Sequence, residues 1–495
     1  MSGQSIPITA SILYDLTQCP HRVTRNLFAN PAERDPISPF VQLLWERGTL
    51  YEKEVIAGLK LPFVDLSGFA GEEKEKQTTE AIRRGETLIY NGRISHEDLL
   101  GEPDLLRREG DGYIAGDIKS GAGEEGGDDD PKPKKHYAVQ LALYTEILER
   151  KRVSAGRRAF VWDIHGEEVP YDFSVSYGVR NPRTLWDDYL EVIAEARAIA
   201  SKQLSTLPAY SSPCKQCWWY TSCIKQLEID NDLTLIPEVG RSKRDVLAPT
   251  LPTIKAFAAA NPAAYTDGKK TKFQGIGLDT LMKLHKRAQL LATKDPKPYL
   301  KAVLQLPPAK LELFFDIEVD PMRGLCYLHG FIERQNGDNS TERYRSFFIA
   351  QPNEESEKRA FAEALSYLKG MQNAVVYYYS KYERTIYRKL QEKFPDVCSR
   401  EEIDALFESP RSIDLYFDVV LKATEWPTRD FSLKTLAVYL GFNWRDTHPS
   451  GAASIEWFDR WAKTNDAGVK ARILEYNEDD CRAARVLLDG VRCLS

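Results

Sequence analysis

The sequence is poor in cysteine and histidine, with eight cysteines and seven histidines among 495 residues. Eight cysteines in a chain this long are too few for a disulfide scaffold, so clustered cysteines indicate a metal site instead. No apolar run approaches the roughly eighteen residues that a membrane-spanning helix needs. The first fifteen residues lack the basic start and apolar stretch of a secretory signal. The sequence therefore predicts a cytoplasmic protein without a membrane partner.

Positive charge is also in short supply, since the net charge is −6. This balance argues against a surface that is basic all over. It leaves nucleic-acid binding open, because bound divalent cations offset clustered carboxylates and a local basic stripe can hold the phosphates.

Three regions follow one another along the chain, and together they predict a multidomain α/β protein. Residues 1–228 mix helical patterns with short strands and end in a cysteine cluster. Residues 229–308 predict a small helical linker. Residues 309–495 predict three strands followed by alternating helix and strand, which is the RNase H-like order. A polar insert at 121–135 has nothing to bury, so we expect a mobile loop there.

Two aspartates and a lysine predict a first metal site. Asp104 is expected to end one strand, and Asp117 and Lys119 follow as D-x-K on the next strand of a hairpin. Residues two apart on a strand share a face. Two carboxylates can hold Mg²⁺ or Mn²⁺, which activates water at a phosphate, while the lysine orients that water.

This pattern resembles the PD-(D/E)XK nuclease superfamily, with a restriction-endonuclease-like fold. Two flanking features resemble its RecB-like branch. Glu52 matches an additional metal ligand of that branch, with Glu54 as a close competitor, and Gln140 and Tyr144 match its Q-x-x-x-Y signature for substrate binding.

Cysteines at both ends of the same region predict a second kind of site. Cys214, Cys217 and Cys223 lie within ten residues, and Cys19 lies near the start of the chain. Four thiolates suit a four-iron four-sulfur cluster or a zinc ion. The spacing resembles the iron–sulfur version of the RecB-like fold found in CRISPR adaptation nucleases and AddB-type nucleases, which implies a structural 4Fe-4S cluster with zinc as the alternative.

The last region carries a second set of acids. Asp316 and Glu318 lie two apart on a predicted strand, and Tyr476 and Asp480 lie one turn apart on a predicted helix. This arrangement resembles the tyrosine subtype of DnaQ-like (DEDD) exonucleases, which implies that the acids bind Mg²⁺ or Mn²⁺ and that the tyrosine positions water.

The middle acid departs from the usual pattern of that family. Glu383 occupies the position where most members have aspartate, and Asp414 is the rival ligand. Lys434 matches a lysine that some polymerase-type members use near the scissile phosphate.

The predicted linker contains two glycine turns, at Gly240 and Gly277, each before a helix. The pattern resembles helix-hairpin-helix modules, which grip phosphates through backbone amides. Lys283, Lys286 and Arg287 would supply local positive charge. A plain helical linker is the alternative.

Together these features resemble predicted bacterial and archaeal RecB-like nucleases with a C-terminal RNase H-like domain. The resemblance implies a two-site nuclease acting on single-stranded DNA, with a helicase or defence-system protein as a possible partner. Two alternatives stay open: a nucleic-acid-binding scaffold with one inactive site, and an RNA-processing exonuclease.

Overall fold

Two units make up the chain: residues 1–208 with 212–223, and residues 209–211 with 224–495. The computed structural model describes residues 6–125, 132–178, 181–447 and 449–494. Residues 126–131 of the predicted mobile loop lie outside these ranges. Within them, no helix combines the length and the apolar character needed to cross a lipid bilayer.

The first unit contains thirteen short strands and six helices among its described residues. The strands are β1 (Ile8–Thr9), β2 (Val64–Asp65), β3 (Leu88–Tyr90), β4 (Ile94–His96), β5 (Leu99–Gly101), β6 (Leu105–Glu109), β7 (Gly112–Ile118), β8 (Glu124–Glu125), β9 (Lys132–Pro133), β10 (Ser154–Trp162), β11 (Glu168–Asp172), β12 (Ser176–Tyr177) and β13 (Arg183–Thr184). The helices are α1 (Ala10–Gln18), α2 (Pro20–Phe28), α3 (Pro39–Ala57), α4 (Gly71–Arg84), α5 (Lys135–Arg150) and α6 (Leu185–Ala200).

A six-stranded sheet forms the centre of this unit, in the order β11-β10-β7-β6-β3-β2. β6 and β7 form the predicted antiparallel hairpin, and β10 pairs with β7 in parallel. Alternate residues of β7 enter different cores: Ala115 packs with the core that α1, α5 and α6 share, whereas Ile114 packs towards α3. This alternation directs Asp117 to the same side as α5.

The described residues of the second unit contain nine strands and most of the remaining helices. The strands are β14 (Thr266–Asp267), β15 (Lys270–Thr271), β16 (Tyr299–Leu300), β17 (Leu311–Asp320), β18 (Leu325–Gln335), β19 (Asp338–Phe348), β20 (Ala374–Tyr378), β21 (Ser412–Asp414) and β22 (Thr424–Glu425). The helices are α7 (Tyr220–Asp230), which begins in the first unit, α8 (Arg241–Leu247), α9 (Ile254–Ala259), α10 (Leu278–Ala292), α11 (Glu354–Gly370), α12 (Tyr382–Lys393), α13 (Arg400–Phe407), α14 (Leu433–Tyr439), α15 (Gly451–Thr464) and α16 (Ala467–Arg492).

A five-stranded mixed sheet organises the end of the chain, in the order β19-β18-β17-β20-β21. β17, β18 and β19 are antiparallel neighbours, and β20 and β21 add in parallel. This confirms the predicted order of three strands, helix and strand. On β17, Phe315 packs towards α11 and α12, whereas Phe314 packs in the core that includes α16.

Residues 233–288 of the second unit pack around a small core of their own. Its helices are the short α8 and α9 and the longer α10. The boundaries predicted at residues 228 and 308 stay predictions.

Candidate metal centres

The first site lies at one end of the first unit's sheet. We define it by three residues, Asp104, Asp117 and Lys119. Asp104 directly precedes β6, so the expectation that it ends a strand was wrong; the strand begins only where pairing with β7 starts. Its Oδ2 accepts from the Ile118 amide at 2.8 Å. Lys119 Nζ lies 2.8 Å from Asp117 Oδ2.

The first site holds more negative charge than its lysine balances. Burial and the charge of Asp117 raise the pKa of Asp104 to about 8. Burial acts to lower the pKa of Lys119, but the two aspartates outweigh it, and the net direction is upward. Adjacent buried carboxylates with a single ammonium group suit a divalent cation.

The residues predicted to flank the first site lie beside it. Glu52 on α3 accepts from the Tyr90 hydroxyl at 2.8 Å, and its charge contributes to the raised pKa of Asp104. The competing Glu54 is exposed. On α5, Tyr144 is buried near both aspartates, whereas Gln140 donates to the Ala10 carbonyl at 3.5 Å.

Side chains that sequence reasoning missed line the same end of α5. The Tyr137 ring lies 5.6 Å from Lys119 Nζ and 5.4 Å from Lys134 Nζ. Burial lowers the pKa of His136 to about 4, with the charges of both lysines acting in the same direction. Only their position directly before the Q-x-x-x-Y signature could have indicated them.

The four predicted cysteine ligands lie in the first unit, and no disulfide joins these described residues. Burial raises the pKa of Cys223 to about 12, and the charges of Cys19, Cys214 and Cys217 also raise it, so the thiols lie within electrostatic range of each other.

Two stacked arginine–tryptophan pairs adjoin these cysteines. Arg22 stacks on Trp218 at 4.2 Å and Arg25 on Trp219 at 4.6 Å. Asn26 Oδ1 accepts from both indoles, at 3.0 and 2.8 Å. The charges of Arg22 and Arg25 act to lower the pKa of Cys217 and Cys223, but burial outweighs them and the net direction is upward.

Asp316, Glu318 and Asp480 form the second site, where one carboxylate oxygen of each lies within 4.8 Å of the others. Asp316 and Glu318 share a face of β17, and Asp480 faces them from α16. Burial, with Asp480 next, raises the pKa of Glu318 to about 8 and that of Asp316 well above its usual range. These acids therefore repel one another when they are ionised.

Lys434 at the start of α14 supplies one cation to the second site. Its Nζ donates to the Tyr476 hydroxyl at 2.8 Å and to Asp480 Oδ1 at 3.1 Å. Trp444 also donates to Asp480 Oδ1, at 2.7 Å. Trp444 belongs to no motif, so sequence patterns could not have indicated it.

The two rivals for the middle acid differ in their partners. Glu383 is 3% exposed, and its Oε2 has no hydrogen-bond partner among the described residues. Asp414 Oδ1 instead accepts from three backbone amides, those of Ser380, Tyr416 and Phe417, at 2.9–3.0 Å. Glu383 is near enough for its charge to raise the pKa of Asp316, although it is not one of the three acids that meet within 4.8 Å.

The expected basic charge of the linker is only partly available. Arg287 is 2% exposed and donates to Glu425 at 2.9 Å, so it does not supply the local positive charge that was expected of it. Lys283 pairs with Glu238 at 2.5 Å, while Lys286 is exposed.

Comparisons with known families agree with this division of the chain. Residues 21–224 match the model of the PD-(D/E)XK nuclease superfamily, and residues 313–491 match a model of the RNase H superfamily. A comparison with curated proteins found no match. The chain thus contains an N-terminal PD-(D/E)XK domain and a C-terminal RNase H-like domain. Both families are nuclease families, which supports a metal-dependent nuclease.

Proposed function

We propose that this chain hydrolyses phosphodiester bonds of single-stranded DNA at two separate active sites. The first would be a RecB-like site in residues 1–228, and the second a DnaQ-like 3′-to-5′ exonuclease site in residues 309–495, with residues 229–308 as a helical linker. One observation carries the proposal. In each unit neighbouring carboxylates are buried beside one lysine, and this lysine balances only part of their negative charge.

At the first site, Asp104, Asp117 and Glu52 would hold Mg²⁺ or Mn²⁺. The bound ions would supply activated water and neutralise charge on the scissile phosphate. Lys119 would orient the water, since its ammonium lies against Asp117. Tyr144 and Gln140 would contact substrate from α5.

At the second site, Asp316, Glu318 and Asp480 would hold the cations, with Glu383 as the fourth acid. The unpartnered oxygen of Glu383 and the occupied oxygen of Asp414 both support this choice. Tyr476 would position water through its hydroxyl.

The cysteines would bind a 4Fe-4S cluster in a structural role. One early cysteine and three late ones resemble the ligand set of the iron–sulfur version of the RecB-like fold, and their thiols lie within electrostatic range of one another. This resemblance supports the cluster over a single zinc ion.

The test is cleavage of end-labelled single-stranded DNA, duplex DNA and RNA with Mg²⁺ or Mn²⁺. We expect Asp117→Asn and Asp316→Asn each to remove one activity, and the double variant to remove both. Glu54→Gln, an exposed acid on α3, is the matched control and should cleave like wild type. Full cleavage by the double variant would refute the proposal.

Retained DNA binding without any cleavage by wild type would instead favour the scaffold alternative. A preference for RNA ends would favour the RNA-processing alternative.

A further inference from the structure

Asn477 lies between a tyrosine and the second site. Its Nδ2 donates to Asp316 Oδ2 at 2.7 Å, and its Oδ1 accepts from the Tyr344 hydroxyl at 2.8 Å. The side chain is fully buried, and it also forms a hydrogen bond with Glu318. Both ends of the amide are therefore fixed, which determines which end faces the acids.

A glycine makes this arrangement possible. Gly330 pairs with Asp316 across β17 and β18. A Cβ atom at Gly330 would lie 1.6 Å from Asn477 Oδ1, closer than any real contact. Glycine weakens a buried strand, so its presence there fits a close approach of another group.

The chemistry of an amide suits a residue that holds a metal ligand. An amide donor can hold a carboxylate in place by a hydrogen bond and carries no charge. Aspartate in its place would add negative charge, and lysine would bring a positive charge that competes with a cation. Partners that orient metal ligands in this way typically account for about 10- to 100-fold in metal affinity or activity.

We infer that Asn477 is a positioning residue that fixes Asp316 for cation binding. Tyr344 orients its amide, and the missing side chain at Gly330 leaves room for it. This inference rests on the function proposed for the second site. Asn477 acts through Asp316, so it is not itself a catalytic residue.

The experiment is Mn²⁺ binding by calorimetry on the full chain, with unfolding temperature measured in chelator. The Asp117→Asn background removes binding at the first site. In that background, we expect Tyr344→Phe to weaken Mn²⁺ binding about 3- to 10-fold and Asn477→Ala about 10- to 100-fold. Any activity should fall in kcat and leave KM for DNA unchanged.

Glycine variants supply a matched pair. Gly330→Ala should weaken Mn²⁺ binding as Asn477→Ala does, because its methyl displaces the amide. Gly370→Ala adds a methyl group in open space and should bind Mn²⁺ as tightly as the background protein. Tyr344→Phe removes only a hydroxyl, so it keeps the test valid if the other variants unfold.

The outcomes separate this inference from the proposed function. Suppose that the background protein binds Mn²⁺ and that Asp316→Asn abolishes this binding. If folded Tyr344→Phe and Asn477→Ala then bind Mn²⁺ as tightly as the background protein, only the positioning role is overturned. If the background protein binds no Mn²⁺ that depends on Asp316, the proposed second site fails and the inference fails with it.

Discussion

Removing the charge of Glu318 should stabilise the metal-free protein. Burial raises its pKa from 4.5 to about 8. In the unfolded state the Glu318 carboxyl group loses its proton above pH 4.5, whereas in the folded state it keeps that proton until about pH 8. Folding stability therefore falls as pH rises through this window, by about 1.4 kcal/mol per pH unit. At pH 7.5 the acid costs on the order of 4 kcal/mol.

The perturbation is Glu318→Gln, which keeps a hydrogen-bond acceptor and removes the charge. We expect a gain of about 1–4 kcal/mol at pH 7.5 in chelator, seen as a transition of the second unit about 3–10 °C higher. At pH 5 the gain should fall below about 1 kcal/mol, since wild-type Glu318 then costs little. Mg²⁺ should raise the transition of wild type more than that of the variant.

Glu312→Gln is the matched control, because Glu312 is equally buried on the same strand but is paired. Its carboxylate accepts from Arg334 at 2.7 Å and from Arg492 at 2.6 Å. Removing this charge leaves a buried arginine short of a partner, so the variant should be less stable. An unfolding temperature of Glu318→Gln at or below wild type at pH 7.5, or an equal gain at both pH values, would show that the Glu318 carboxylate does not destabilise the metal-free fold.

Four further outcomes follow from the same geometry. Lys119→Ala should lower metal-dependent cleavage at the first site at least about 100-fold while the unfolding temperature stays near wild type; wild-type rates would rule out its role. Tyr476→Phe should lower kcat for 3′-end digestion about 10- to 100-fold, less than loss of an acid, because every ligand remains. Glu383→Gln should abolish 3′-end digestion without unfolding. Asp414→Asn should mainly lower the unfolding temperature, because Asp414 Oδ1 accepts from the backbone amides of Ser380, Tyr416 and Phe417; the reverse result would exchange their roles. Cys217→Ala should bleach the brown colour of anaerobically purified protein and destabilise the first unit; colourless wild type with about one zinc per chain would show that the metal is zinc.

The arrangement of acids within each motif could be predicted because it depends on local periodicity. Asp316 and Glu318 share a face because side chains alternate along any strand. Tyr476 and Asp480 face one way because a helix turns every 3.6 residues. Neither relation requires knowledge of the tertiary fold.

Features set by distant partners could not be predicted. Arg287 lies on a predicted helix, so its charge was expected to be exposed. The side chain is buried instead, and it donates to Glu425 on another element. Asp104 directly precedes β6 instead of ending a strand, because β7 determines where pairing starts. Asn477 carried no signal, since its position depends on Gly330 in a strand far away in the sequence.

The charge around each site explains how a protein with a net negative charge could bind nucleic acid. At the first site one lysine lies against Asp117, and at the second one lysine lies against Asp480. In each case further buried acids remain, so a cation held at the site would offset their negative charge there. Such a cation would also attract the phosphate. Net charge is a poor guide to nucleic-acid binding in a protein of this design, since the positive charge that meets the phosphate would come from outside the chain.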